Sequence, residues 1–122
     1  MGLASDPVDR SLALNSVGGD KAFLSELAGI LGAACPTLLE STRASLAVGN
    51  LAAAARTARL LRVAAENVAA RRVASAALTL ETIARQRHHE AVDPAYSVLR
   101  QEVERLTPVL ADLEGEGASS EY

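Results

Sequence analysis

The chain contains no tryptophan, one phenylalanine and two tyrosines, so aromatics make up 2% of its 122 residues. Strands are built from aromatic and β-branched runs, and their scarcity leaves little from which to make a sheet. A single cysteine, Cys35, excludes an internal disulfide and fits a reducing compartment. It sits in an apolar helical segment with no histidine near it in sequence, which reads as a small buried hydrophobe rather than a nucleophile. Neither sign of charge dominates. The net charge of −3 argues against a general nucleic-acid binder. No basic-then-apolar leader opens the chain, and no apolar run is expected to reach bilayer-crossing length, so a soluble cytoplasmic protein with no membrane partner is expected. Paired acid/base carboxylates, a glycine-rich phosphate loop and a Ser/His/Asp set are all missing, and no ligand pairs stand at metal spacing. No metal, cofactor or catalytic residue is therefore expected.

What the chain does have is alanine and leucine, which dominate an apolar content of 49%. Its length suits one domain with a single core, packed here from small side chains that let helices approach closely. The basic residues are almost all arginine, with Lys21 the only lysine. Arginine suits bidentate pairing with carboxylate or phosphate, and a GC-rich coding bias gives the same preference.

Taken in order, Met1 to Ser5 read as a ragged start and Asp6-Pro7 as the opening of a short helix, stopped at Val17-Gly18-Gly19. Asp20 caps a long segment in which Phe23, Leu24, Leu27, Ile30, Leu31, Ala34, Leu38, Leu39, Thr42 and Leu46 fall at helical spacing. The stripe keeps its phase across Pro36, which predicts one kinked helix rather than two. Gly49 and Asn50 end that helix and cap the next, which runs to about Asn67. Asn67 to Ala70 make a tight connection. A further helix carries Val73, Ala76, Ala77, Leu80, Ile83 and Ala84 and ends in the polar run Arg85 to Glu90. Asp93-Pro94 repeats the opening signal, and the last helix carries Val98, Leu99, Val103, Leu106, Val109, Leu110 and Leu113, with Pro108 late in it. These segments predict an all-α fold, an antiparallel four-helix bundle with a short N-terminal helix, over residues 1–114. The Gly/Ser/Glu stretch 115–122 reads as a disordered tail.

The helix after Asn50 is the informative one. Leu51, Ala54, Ala58, Leu61, Ala65 and Val68 form its apolar stripe. At about 100° per residue, Arg56, Arg59, Leu60 and Val63 then point outward, with Arg62 at the edge. Exposed branched aliphatics set among arginines read as a docking surface. The alternative is that the arginines simply solvate the helix.

Several stretches together resemble the histidine-containing phosphotransfer (HPt) domains of bacterial phosphorelays. Gly18-Gly19-Asp20 with Phe23-Leu24 and Leu27, Cys35-Pro36-Thr37-Leu38-Leu39, and Val48-Gly49-Asn50-Leu51 are similar to that family's opening, kink and turn. The family's active helix reads Ala-His-x-Leu-Lys-Gly followed by a Leu-Gly turn. Here the matching places read Ala58-Arg59-Leu60-Leu61-Arg62-Val63, then Asn67-Val68-Ala69. The resemblance implies an HPt-like bundle whose phosphoacceptor position holds Arg59. A neutral imidazole keeps a lone pair with which to attack a phosphoryl group, whereas a guanidinium stays protonated and only donates. Val63 stands where the family keeps a glycine, and its branched side chain crowds the phosphoryl position.

The resemblance thus implies a degenerate HPt domain that binds the receiver domain of a response regulator or hybrid kinase through Arg56, Arg59, Leu60, Arg62 and Val63, or competes with a true HPt protein, without carrying phosphate. Two alternatives stay open. His88 or His89 would be the phosphoacceptor of an active relay protein, although adjacent residues on a helix share no face and both sit where a helix end favours histidine. Alternatively Leu60 and Val63 pair with a second copy in an oligomerising bundle, against an expectation of a monomer or weak homodimer.

Overall fold

A computed structural model describes residues 6–119, with five helices and no strand among them. Helix α1 (Arg10–Ser16) is short, and α2 (Lys21–Ala47), α3 (Leu51–Glu66), α4 (Arg71–Arg85) and α5 (His89–Ser119) are long. Helix α2 packs on α3 and α5, and α4 packs on α3 and α5, so the long helices close a ring around one core, while α1 rests on α2. The largest fully buried side chains are leucines from three elements, Leu61 on α3, Leu80 on α4 and Leu99 and Leu106 on α5. Alanines such as Ala54, Ala58, Ala65 and Ala77 fill the gaps between them, which brings the helix axes close.

Three N-termini are capped by side chains. Asp20 accepts from the Phe23 amide and Asn50 from the Ala53 amide, as the sequence signals predict. At α1 the cap is Asp9, which accepts from the Leu12 amide, rather than Asp6. Pro7 lies outside that helix, and Val8 is buried instead. The Asp9 amide also donates to the Ala69 carbonyl at 3.1 Å, tying the start of α1 to the turn between α3 and α4.

Helix α2 runs unbroken through Pro36. Phe23 and Ile30, expected in its apolar stripe, are exposed, because the buried arc centres on Leu24, Ala28, Leu31, Cys35 and Thr42 about a quarter turn away. Buried Thr42 donates back to the Leu38 carbonyl and meets the Thr57 hydroxyl of α3 at 2.6 Å, so no polar atom is stranded there. Burial pushes the Cys35 thiol up to about 11, which keeps it protonated and unreactive. The expectation that no apolar run reaches bilayer-crossing length fails for α2, which is long and apolar enough by length and composition. Of its residues Leu24, Ala28, Leu31, Cys35 and Thr42 are buried in the bundle.

The last helix starts earlier and ends later than its sequence signals predict. It opens at His89 rather than Asp93, and Pro94 falls inside it. That proline removes the amide that would reach back to the Glu90 carbonyl, and its ring crowds the same carbonyl, so the helix gives up one bond at its second turn. At the other end α5 continues past Gly115 to Ser119 in place of the tail expected there. Ser25 of α2 donates to the Glu114 carbonyl at 2.9 Å, and Arg10 of α1 pairs with Glu116 at 2.6 Å. Residues 120–122 of that expected tail, like Met1 to Ser5, lie outside the described residues.

Candidate functional site

Helix α3 buries the stripe Leu51, Ala54, Ala58, Leu61 and Ala65 and turns its remaining residues outward. Arg56 and Arg59 are exposed, Leu60 is 56% exposed and Val63 43%. These four candidate residues therefore share the outer side of one helix. Arg62, placed at the edge by its helical phase, is only half-buried and is held from two sides. Its Nε donates to the Glu81 carboxylate of α4 at 3.1 Å and its Nη1 reaches Glu66 at 3.4 Å. The Glu81 hydrogen bond, with further help from Glu66, raises the Arg62 pKa still further, so this guanidinium is a fixed cation.

Among the described residues Glu81 is one of two polar or charged side chains that are buried. Its second oxygen takes Arg85, with Nη2 at 3.2 Å, so a single carboxylate braces α3 and the end of α4 through two arginines.

The end of α4 supplies what the α3 helix alone does not reveal. Leu51, Ala52, Ala55, Arg56 and Arg59 of α3 face Ala84, Arg85 and Arg87 across an open groove of about 560 Å³. Arg87 sits at the corner between α4 and α5 with φ +60. Its amide donates to the Ala84 carbonyl and the His88 amide to the Ile83 carbonyl, the paired bonds of a Schellman ending with Arg87 in the left-handed position. The α3 end repeats this geometry. The Ala69 and Ala70 amides return to Glu66 and Ala65, and Ala69 takes φ +55. At the corresponding corner after α2 the same place is filled by Gly49, with φ +73.

Along the outer side of α3 and the end of α4 stand five guanidiniums, Arg56, Arg59, Arg62, Arg85 and Arg87, and two carboxylates, Glu66 and Glu81, which pair with Arg62 and Arg85. Three positive charges are left in excess on a chain whose net charge is −3. His88 and His89 are exposed beside the same corner. Among the described residues no cluster of three metal-ligating side chains exists. Arg71 and Arg72 belong elsewhere, since Arg72 makes a bidentate pair with Glu102 of α5, both contacts at 2.9 Å, and Arg71 stands 3.8 Å from Asp9. Sequence reasoning missed Arg85 and Arg87 as partners of Arg56 and Arg59, having read them as the polar end of a helix. The usable signal is that α3 and α4 are similar in length, 16 and 15 residues, and joined by a tight turn, which returns the end of one to the start of the other.

No family model matches the chain, and no curated protein or solved structure matches it either.

Proposed function

We propose that the chain is a signalling module built as an antiparallel four-helix bundle of the HPt type, and that it docks the receiver domain of a response regulator or hybrid kinase without carrying phosphate. The observation that carries this reading is the outer side of α3, where Leu60 and Val63 stay exposed between arginines. The short connections between α2 and α3, α3 and α4, and α4 and α5 support antiparallel neighbours. Arg59 occupies the place of the family's phosphohistidine, and its guanidinium has donors only. It therefore recognises acidic groups and cannot attack a phosphorus centre. Leu60 and Val63 supply the water-excluding contact, Arg56 and Arg59 meet receiver carboxylates, and Arg62 adds a charge already fixed by Glu81.

Calorimetry of the purified chain against receiver domains encoded near its gene tests this reading. Saturable binding that is lost on Arg59→Glu with Val63→Glu is expected. Binding to no receiver, or binding indifferent to that double substitution, refutes it. A phosphorylated receiver and its kinase supply a second arm, in which no label is expected on this chain. Acid-labile label that disappears in His88→Ala with His89→Ala would make it a working relay protein instead.

A further inference from the structure

Eight of the eleven arginines stand within 4.0 Å of a carboxylate. Among the described residues the three that do not are Arg56, Arg59 and Arg87, and all three line the same groove between α3 and the end of α4. On a chain of net negative charge, with carboxylates enough to pair nearly every other arginine, this concentration of unneutralised guanidiniums is not what solvation of helix faces produces. Surface charges that only solvate are interspersed with opposite ones.

The backbone adds a second observation. Arg87 holds the left-handed position of the α4 ending, where glycine sits without strain and a branched or long side chain does not. In that position Arg87 brings to the wall of the groove a guanidinium that glycine would not supply.

From this we propose that the groove binds a multiply charged phosphate anion of the diphosphate or triphosphate type, held by Arg56 and Arg59 from α3 and by Arg87 from the α4 corner, with Arg85 at the rim. Guanidinium forks match phosphoryl oxygens two at a time, and donors arriving from two elements suit a chain of phosphates rather than one. The volume is far larger than a single phosphate needs. The other wall residues are Leu51, Ala52, Ala55 and Ala84, small or buried, so the groove offers a protein partner no large apolar anchor. Leu60 and Val63 are not part of its wall. With no aromatic residue in the wall there is nothing on which a base would stack, so recognition ends at the phosphates. This inference does not depend on the receiver-docking reading.

The test is calorimetric titration of the full chain with inorganic triphosphate at low ionic strength, where surface charge is least screened. One saturable site is expected. Arg59→Gln and Arg87→Gln, which keep a polar side chain and remove the charge, should each weaken it about tenfold or more, the effect of losing a charge-assisted contact. Arg100→Gln, on α5 and paired with Glu104, should leave it within about twofold. Adenosine triphosphate should bind no tighter than triphosphate. The proposal is overturned by non-saturating binding, by equal losses in Arg100→Gln, by citrate matching triphosphate, or by a tenfold preference for the nucleotide. Leu60→Gln with Val63→Gln separates the two readings. It removes the apolar contact on which receiver docking rests without placing a carboxylate one turn from Arg59, so triphosphate binding stays intact and either reading can fail while the other stands.

Discussion

Arg62 and Arg59 lie three residues apart on α3, yet they do opposite things. Arg62 is drawn against α4 by Glu81 and braced by Glu66, and its side chain is only 23% exposed. Arg59 has no carboxylate partner among the described residues and opens into the groove. Arg72 and Arg87 repeat the contrast at the two ends of α4. The first is locked bidentately to Glu102, and the second, at the corner, has no carboxylate partner among the described residues. The partner, rather than the residue type, separates an arginine that holds helices together from one available to a ligand. Removing a tied arginine or its carboxylate should therefore cost stability, and removing a free one should cost binding.

The largest stability effect is expected at the hub of the tied set. Glu81→Ala deletes the acceptor of both Arg62 and Arg85 and leaves a hole in the core wall where the carboxylate was buried. A loss of about 1–3 kcal/mol is expected for removing such charge-assisted bonds, read as a lower urea midpoint with an unchanged slope. A midpoint within error of wild type would erase the distinction between the two sets.

Acid should separate the sets next. The Arg72 hydrogen bonds, reinforced by its charge, hold the Glu102 carboxyl below its ordinary value of 4.5. With the folded value depressed, the pair's contribution is fully present above about pH 4.5 and is lost as pH falls through the lower folded value. Wild type and Arg72→Ala should therefore differ in stability at neutral pH and converge in acid, in denaturant melts taken across that window. Curves that stay parallel to the lowest pH would show that Arg72 acts by packing of its stem and not by charge.

Arg87→Gly, in the free set, should move the other way. It relieves a left-handed non-glycine residue, a strain of about 1 kcal/mol, and part of that gain is offset by the greater unfolded-state freedom of glycine. A net gain of about 0.5 kcal/mol is expected, together with weaker triphosphate binding, the pattern of a site maintained at the expense of stability. Ala69→Gly is the control. Its strain relief is similar, but Ala69 is buried and loses a methyl worth about 0.8 kcal/mol, so no gain is expected there.

How far the sequence carried this picture depends on the range of the interaction involved. The α3 stripe is legible because helical phase is local, and all of Leu51, Ala54, Ala58, Leu61 and Ala65 are buried as their spacing predicts. Caps at Asp20 and Asn50 are legible for the same reason. The exposure of Leu60 and Val63 and the Arg62–Glu66 contact also follow from one helix read alone. The groove does not. Arg87 reaches it through a left-handed corner for which the sequence offers no glycine, and it meets Arg56 only after α3 and α4 have packed. The start of α5 was misplaced because Asp93-Pro94 looks like an opening wherever it occurs, and local signals cannot show that the ending at Arg87 already hands the chain to His89.

The smallest effect is the most telling. Arg59→Ala removes an exposed side chain with no carboxylate partner among the described residues, so the stability change should stay within about 0.5 kcal/mol. Helix propensity favours alanine slightly, which pushes the sign towards stabilisation. Wild-type stability combined with loss of both receiver docking and triphosphate binding would place Arg59 wholly on the side of function. A loss as large as that of Glu81→Ala would mean that Arg59 holds α3 against α4 as Arg62 does. The groove would then be a structural seam, and the division between tied and free arginines would fall at the position on which both functional readings depend.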